Sequence, residues 1–379
     1  MPAGGRMAKV YFATDRQPDP GPKLSFSRDR TDPPTLATGW QQVALGSLHE
    51  VGKVDDVALT ATFAKSQSPG GARESALKRT DAEIQLFADN VLRPALRSAH
   101  PLPGVRKQVL LFVHGYNNTF EYAVRKTAQL AGDLDLVDCQ GGAHGVAITY
   151  SWPAQGSLLG YLADEEDAEW TQQRLAPFLR AVGTVCHQEN AEFIVMAHSL
   201  GTRAAVRSLS DLAISHDLKG QRLVDHLILL APDLSKALFD QYVERILPLV
   251  GHLSVYVSSK DRALAISRLL HGGNGRLGLV ESTLLTALQL VGVDRKDHRT
   301  LGSGIGGFDI IDVSDGGADF IGHSYEDPAF IGDLKALIDK DVPPGTGSRS
   351  NLEPHDLKPG LFGPRDNTVR YFKMKGGAS

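Results

Sequence analysis

The amino-acid sequence predicts an α/β fold with a mostly parallel central sheet and helices on both of its faces. From residue 108 onward, short apolar segments alternate with amphipathic segments of helical period, and this alternation is typical of βα units. At 379 residues the chain is long enough to bury one large core or two smaller ones. The predicted strands are 108–113, 145–151, 192–197, 224–230, 253–258 and 308–313. The predicted helices are 120–132, 165–188, 202–213, 236–248, 283–291 and 327–339.

The predicted core has an extension on each side. We expect three regions, which are a strand-rich N-terminal extension at 1–75, the core at 76–341 and a Pro/Gly-rich C-terminal tail at 342–379. In the extension, residues 9–14 and 57–63 are rich in β-branched and aromatic residues, as strands are. Residues 80–97 have one apolar face and predict a helix that opens the core. Within the tail, 368–372 could dock as an edge strand.

Composition is that of an ordinary globular protein, with 42% hydrophobic and 22% charged residues. A net charge of −4 gives no reason to expect nucleic acid or an anionic membrane as a partner. Two cysteines, Cys139 and Cys186, are too few for a disulfide framework. The first ten residues have no apolar signal-peptide core and no membrane-spanning run is found, so a cytoplasmic location is expected, although a removed export signal would leave no trace. Oligomeric state is open, with a homo-oligomer among the options.

A candidate nucleophile follows the third predicted strand. Residues 193–197 are apolar and lead into Ala197-His198-Ser199-Leu200-Gly201, and a helical pattern begins directly afterwards. A strand, a tight small-x-Ser-x-Gly turn and a helix form the nucleophile elbow of α/β-hydrolases, because small residues let strand and helix pass close together. Ala-x-Ser-x-Gly alone also arises by chance. The strand–turn–helix context makes Ser199 the predicted nucleophile.

A nucleophilic serine needs a base, and the base needs an orienting carboxylate. Asp261 follows the predicted strand 253–258 and is the expected acid, with Asp233, after the preceding strand, as the alternative. Either aspartate could instead cap a helix. His323 lies between the last predicted strand and the last predicted helix, where the base of such enzymes lies. The expected triad is therefore Ser199, Asp261 and His323.

The developing oxyanion needs two backbone N–H donors. One is expected from Leu200, directly after the nucleophile. The other is expected from Tyr116, in the turn after the first core strand, where His114 and Gly115 would shape the backbone. A capped helix start at Asn118 or Thr119 is compatible with that role.

Neither a cofactor nor a metal is expected. Residues 302–307 match the dinucleotide pattern G-x-G-x-x-G, but they precede a predicted strand instead of following one. The thirteen histidines show no H-E-x-x-H pattern and no cluster with cysteine.

These residues together resemble the α/β-hydrolase superfamily from about residue 108 to 339. More narrowly, the chain resembles a bacterial esterase/lipase-like branch catalogued as a domain of unknown function, number nine hundred. The matching features are 10–16 (VYFATDR), 112–118 (FVHGYNN), 148–153 (ITYSWP), 197–202 (AHSLGT), 260–264 (KDRAL) with the loop at 271–273, and 322–325 (GHSY). The departure is Ala197, where glycine is commoner. The resemblance implies hydrolysis of carboxylic esters.

The predicted function is therefore a serine carboxylesterase acting on small-molecule esters, with short to medium acyl chains expected. Segments 152–164 and 264–301 mix large apolar residues with glycine and could cap an adjustable acyl pocket. A thioesterase, amidase or acyltransferase would use the same triad and is the alternative. A binding or scaffold protein on a retired hydrolase fold is a third interpretation.

Overall fold

The computed structural model describes residues 6–20, 25–45, 59–60, 76–137, 143–155, 161–215, 218, 221–258, 307–314, 328–340, 347–354 and 369–375. The strands are β1 (Arg6–Thr14), β2 (Arg16–Pro18), β3 (Phe26–Arg30), β4 (Ala37–Leu45), β5 (Leu59–Thr60), β6 (Lys107–Val113), β7 (Val146–Ser151), β8 (Ala191–His198), β9 (Val224–Leu230), β10 (Val250–Val257), β11 (Gly307–Asp312), β12 (Leu352–Pro354) and β13 (Val369–Met374). The α-helices are α1 (Ala76–Phe87), α2 (Arg93–Ser98), α3 (Phe120–Asp133), α4 (Tyr161–Trp170), α5 (Gln172–Gln188), α6 (Gly201–Ile214), α7 (Lys236–Ile246) and α8 (Pro328–Lys340).

One large sheet organises the described residues. Its eleven strands lie in the order β12-β13-β11-β10-β9-β8-β6-β7-β1-β4-β5. Every pair from β13 to β1 is parallel, and antiparallel pairs occur at the two edges. β2 and β3 form a separate small sheet. The predicted architecture, a mostly parallel sheet flanked by helices with strands added at the N-terminus, is confirmed.

Two apolar cores cover the two faces of the sheet. α3 and α8 pack on one face, whereas α1, α2, α5, α6 and α7 pack on the other. Because both faces are covered, the central strands are apolar along their whole length instead of alternating; all eight residues of β8, for example, are buried. The parallel strands all end at the same edge, which is where functional sites of such sheets lie.

The six predicted core strands correspond to β6 through β11, with ends that differ by up to three residues. The predicted helix 80–97 is present as α1 and α2, joined by a π-helical turn, Ala88–Leu92. The predicted helix 283–291 lies outside the described residues. Among the helices that the structure describes, none is long and apolar enough to cross a membrane.

The predicted helix 165–188 is divided in the structure. α4 and α5 are separated by Thr171, whose hydroxyl is hydrogen-bonded to the buried carboxylate of Asp15 and lies 3.2 Å from the hydroxyl of Tyr150. Pro177 lies within α5 and has no N–H for the helical ladder. The periodicity of apolar residues does not reveal the break, because the polar contacts of Thr171 are made with residues far away in the chain.

The N-terminal extension and the C-terminal tail both join the large sheet. β1 is parallel to β7 over Val10–Thr14, and β4 pairs with β1 over nine residues. At the other edge, β13 is parallel to β11, and β12 pairs with β13. The N-terminal strands β1 and β4 therefore extend the large sheet.

His226 makes the stability of this fold depend on pH. It is buried in β9 with its ring centre 6.1 Å from that of His252. Burial, helped by the nearby charge of His252, lowers the pKa of His226 to about 3. The unfolded chain, with a histidine pKa of about 6.5, therefore binds more protons than the folded one between these values. The resulting stability is present above about pH 6.5 and is lost as the pH falls toward 3.

We expect His226→Leu to flatten this pH dependence. Each pH unit in the window changes the free energy of unfolding by at most about 1.4 kcal/mol for one such group. Urea denaturation at about pH 6.5 and about pH 4.5 should therefore show a smaller difference for the variant than for the wild type. Equal differences in the two proteins would contradict the assignment.

Candidate active site

Ser199 lies at a sharp turn between a strand and a helix. β8 ends at His198, Ser199 has a φ of +51°, and α6 begins at Gly201. A residue other than glycine in this left-handed region costs about 1–3 kcal/mol and persists only where its surroundings hold it. Such a strained corner at the carboxyl edge of the sheet has the geometry of a nucleophile elbow.

Four hydrogen bonds hold the strained Ser199 backbone. Its N–H donates to the carbonyl of Leu230 in β9 at 3.0 Å. Its carbonyl accepts from the N–H of Thr202 at 3.1 Å, from the hydroxyl of Thr202 at 2.6 Å and from the N–H of Asp233 at 3.2 Å. Ser199 is 3% exposed, so neighbouring protein groups, more than bulk water, set the environment of its hydroxyl.

Gly201 brings the elbow into contact with the end of β6. A Cβ atom added at Gly201 would lie 2.3 Å from the carbonyl oxygen of His114 and 2.7 Å from that of Val113. These atoms are backbone and have little room to move, so the glycine is needed for the close approach of α6 to β6.

We expect Gly201→Ala to displace the turn after β6 from the elbow, with a loss of about 1–3 kcal/mol in the free energy of unfolding and a large loss of reactivity at Ser199. Gly332→Ala in α8 is the matched control, because a Cβ there meets nothing within 4 Å. Alanine in a helix interior should stabilise by up to about 1 kcal/mol. Urea denaturation and labelling by a fluorophosphonate measure both effects, and equal behaviour of the two variants would refute the close approach.

The turn after β6 (residues 114–118), which we call the oxyanion loop after the role that the sequence analysis expects for it, lies against Ser199. A Cβ added at Gly115 would lie 2.9 Å from the Cβ of Ser199 and 2.8 Å from Nδ1 of His198. Asn117 in the same loop has a φ of +56°. Leu200 is the N-terminal flanking residue of α6, so its N–H lies at the positive end of the helix dipole. The structure thus brings Ser199, Leu200 and the loop that carries Tyr116 to one place.

A buried polar network lies beneath the oxyanion loop. Arg16, the first residue of β2, is fully buried, and its Nε donates to the hydroxyl of Ser151 at 2.9 Å. Its Nη2 donates to the carbonyl of Asn118 at 2.7 Å and lies 3.4 Å from Nε2 of His114. Burial, together with the charge of Arg16, lowers the pKa of His114 to about 3. His114 is therefore neutral at physiological pH.

Helix α4 holds the loop from the other side. The carboxylate of Asp164 accepts the N–H of Asn117 at 3.2 Å and also the N–H of Gln155. Burial raises the pKa of Asp164. The ring of Tyr161, also in α4, meets that of Tyr116 edge to face at 6.0 Å. These contacts fix the loop between α4 and the network around Arg16.

A cavity of about 470 Å³ lies beside the elbow and the oxyanion loop. Its walls are partly apolar and partly polar, and they are formed by Phe112, Tyr116, Asn117, Asn118, Thr119, Glu121, Tyr122, Arg125, Lys126, Leu130, His198 and Leu230. Ser199 is not among these residues, but its neighbour in the chain, His198, and Tyr116 of the oxyanion loop are. Its volume is within the range of small-molecule sites.

Of the other predicted candidates for the triad, the structure describes Asp233 but neither Asp261 nor His323. Asp261 and His323 lie outside the described residues, as does the predicted cap segment 264–301. Asp233, the alternative acid, is buried beside the elbow, and its Oδ2 accepts the hydroxyl of Tyr161 at 2.5 Å.

Sequence reasoning gave no role to Arg16, Asp164 or Tyr161. Arg16 was visible as a charged residue directly after a strand that ends at the functional edge of the sheet. Asp164 and Tyr161 belong to segment 152–164, which the sequence analysis gave as a possible cap. Their contacts with the oxyanion loop join residues far apart in the chain, which local patterns do not reveal.

A parallel sheet with a strained serine at a strand–helix turn and a glycine-containing loop beside it defines the class of α/β-hydrolases. The chain belongs to the family of alpha/beta hydrolases of unknown function designated DUF900, which matches residues 100–329. The resemblance inferred from sequence is thereby confirmed. The matched range includes Ser199, Asp261 and His323, whereas Arg16 lies before it. No curated protein and no solved structure gave a match.

Proposed function

We propose that this hydrolase is a serine carboxylesterase that forms an acyl-enzyme on Ser199. The observation that carries the proposal is the strained Ser199 backbone, with a φ of +51° between β8 and α6 and the oxyanion loop in contact with it. A structural serine has no need of such a conformation, and strain of this kind clusters at functional sites.

In the proposed reaction, His323 removes the proton of Ser199 while the hydroxyl oxygen attacks the ester carbonyl. The N–H groups of Leu200 and Tyr116 stabilise the oxyanion of the tetrahedral intermediate. His323 then protonates the departing alcohol, leaving an acyl-enzyme. Water, deprotonated by the same imidazole, attacks the acyl carbonyl and releases the acid and free Ser199. Asp261 holds the imidazole in orientation and stabilises its positive charge.

Asp261 is the proposed acid because it follows β10, two strands along the sheet from the strand that carries Ser199. Asp233, after β9, is the alternative and has a role that requires no catalysis. Its N–H supports the Ser199 carbonyl and its carboxylate accepts the hydroxyl of Tyr161. These contacts suit a residue that stabilises the elbow and anchors α4.

A panel of p-nitrophenyl esters from acetate to palmitate, assayed with the wild-type chain, tests the proposal. We expect hydrolysis, with the highest kcat/KM for short to medium acyl chains, since the cavity beside the elbow, of about 470 Å³, is in the lower half of the range of ligand sites. A thioester panel with and without an acyl acceptor distinguishes the related reactions of the same triad. Failure to cleave any ester while a thioester or amide is cleaved would overturn the ester assignment.

A further inference from the structure

We propose that Arg16 and His114 are positioning residues that fix the direction of the Tyr116 N–H, the proposed oxyanion donor. This inference rests on the proposed function. Neither side chain is proposed to touch the ester. They act through the peptide group between Gly115 and Tyr116, and Arg16 comes from the N-terminal extension, outside the matched family range.

The first step is the anchoring of the Gly115 carbonyl. It lies 2.7 Å from Nδ1 of His114 and accepts from the side-chain amide of Asn118 at 3.4 Å. In a trans peptide the carbonyl and the following N–H point in opposite directions, and among the described residues the only cis peptide is Asp32–Pro33. Anchoring the Gly115 carbonyl therefore fixes the direction in which the Tyr116 N–H points.

The second step is the tautomer of His114. A carbonyl oxygen only accepts, so Nδ1 of His114 must carry the proton in the contact with Gly115. The ring is neutral, since its pKa is lowered to about 3 by burial and by Arg16, and Nε2 is then an acceptor. Nε2 lies 3.4 Å from Nη2 of Arg16 and 3.4 Å from the hydroxyl of Ser151, both of which can donate.

The third step is the selection of this tautomer by Arg16. A guanidinium has donors and no acceptor, so it favours the ring state in which Nε2 has no proton. Burial lowers the pKa of Arg16 to about 10, which keeps it cationic at neutral pH. Its Nε also donates to Ser151, so that hydroxyl is left to donate toward His114.

The ring of His114 is also fixed in place. The indole of Trp152 is stacked on it with the ring centres 5.1 Å apart and an interplanar angle of 10°. The indole N–H donates to the His114 carbonyl at 2.7 Å. Arg16 anchors the far end of the loop through the Asn118 carbonyl at 2.7 Å. Without Arg16, the imidazole could protonate at Nε2, and its bare Nδ1 would then repel the Gly115 carbonyl and turn the peptide.

Arg16→Met tests whether Arg16 positions the Tyr116 N–H through His114, with Arg174→Met as the matched control. Arg174 is another buried arginine, paired with Asp15 at 3.0 Å, but no described contact joins it to the oxyanion loop. Both variants should lose stability. Because an oxyanion donor acts in the transition state, Arg16→Met should lower kcat by about 10–100-fold with little change in KM, whereas Arg174→Met should stay within a few-fold of wild type.

A pair of substitutions at His114 tests the tautomer. The amide nitrogen of asparagine lies near the place of Nδ1, and that of glutamine near the place of Nε2. His114→Asn should therefore retain about ten-fold more kcat than His114→Gln, at similar stability. Equal kcat values for these two variants, or equal losses for Arg16→Met and Arg174→Met, would overturn the proposal.

Amide hydrogen exchange in the absence of substrate separates this inference from the proposed function. Exchange within residues 114–118 should rise in Arg16→Met and not in Arg174→Met. If the wild-type chain cleaves no ester but the two variants show this exchange pattern, the esterase assignment is rejected and the positioning role of Arg16 and His114 is kept. If the wild type cleaves esters but exchange within residues 114–118 is unchanged in Arg16→Met, only the positioning role of Arg16 and His114 is rejected.

Discussion

Replacing Ser199 with alanine is expected to lower ester hydrolysis by about 10³-fold or more, because no other group can form the acyl-enzyme. The Thr202 and Asp233 hydrogen bonds to residue 199 engage its backbone, so the elbow itself should survive the change. The measurement is kcat/KM on the best p-nitrophenyl ester together with a urea denaturation curve. Ser208→Ala, a buried serine in α6, is the matched control and should retain activity.

The partners of Ser199 are tested in the same assay. His323→Ala should match the loss of Ser199→Ala, since triad members act as a unit, and Asp261→Asn should give a large loss as well. Asp233→Asn should lower the free energy of unfolding, with little change in kcat. If Asp261→Asn remains active while Asp233→Asn does not, the acid is Asp233. A fully active Ser199→Ala variant would contradict the whole constellation.

Arg349→Met is expected to have the largest effect on stability. Arg349 is fully buried and binds Asp333 through two nitrogens, at 2.7 and 3.2 Å, and its Nη1 lies 3.9 Å from Asp309. Tyr256 also donates to Asp333, at 2.7 Å. Removing the guanidinium leaves the buried carboxylate of Asp333 without its cation, which costs about 3–5 kcal/mol.

Lys375→Met is the control for this prediction. It removes a cation from the same C-terminal region, but its partner Glu353 and Lys375 itself are more than half exposed, and such pairs contribute at most about 1 kcal/mol. Urea denaturation should therefore place Arg349→Met far below Lys375→Met. Partial recovery is expected in Arg349→Met combined with Asp333→Asn, where one buried charge is removed. Similar losses for the two single variants would contradict the structural role of Arg349.

The Arg349 network also explains why part of the fold could not be predicted. The apolar runs of β6 to β11 were visible because a strand buried on both faces has few polar residues. Arg349 lies in a polar segment of the tail, where composition favours flexibility, yet it is fully buried against Asp333 in α8. A charged side chain is buried where the folded chain provides opposite charges as partners, and the arrangement of those partners depends on the assembled fold.

The candidate site also has one part that the sequence predicts and another that it does not. Ser199, Leu200 and Tyr116 belong to short motifs in which chemistry and backbone geometry are local, so sequence suffices to propose them. The contact of Arg16 with His114 joins residues 98 positions apart. Such a contact follows from β1 lying parallel to β7 at the same sheet edge, and this register was not available from hydrophobic patterning.

The most direct test of the central claim is the site of covalent labelling by a fluorophosphonate. The full-length wild type and Ser199→Ala should be treated together and their intact masses and peptides measured. We predict one adduct per wild-type chain, located on Ser199, and none on the variant. Labelling of both proteins at another residue, or no labelling of a folded and hydrolytically active wild type, would contradict the assignment of Ser199 as the nucleophile.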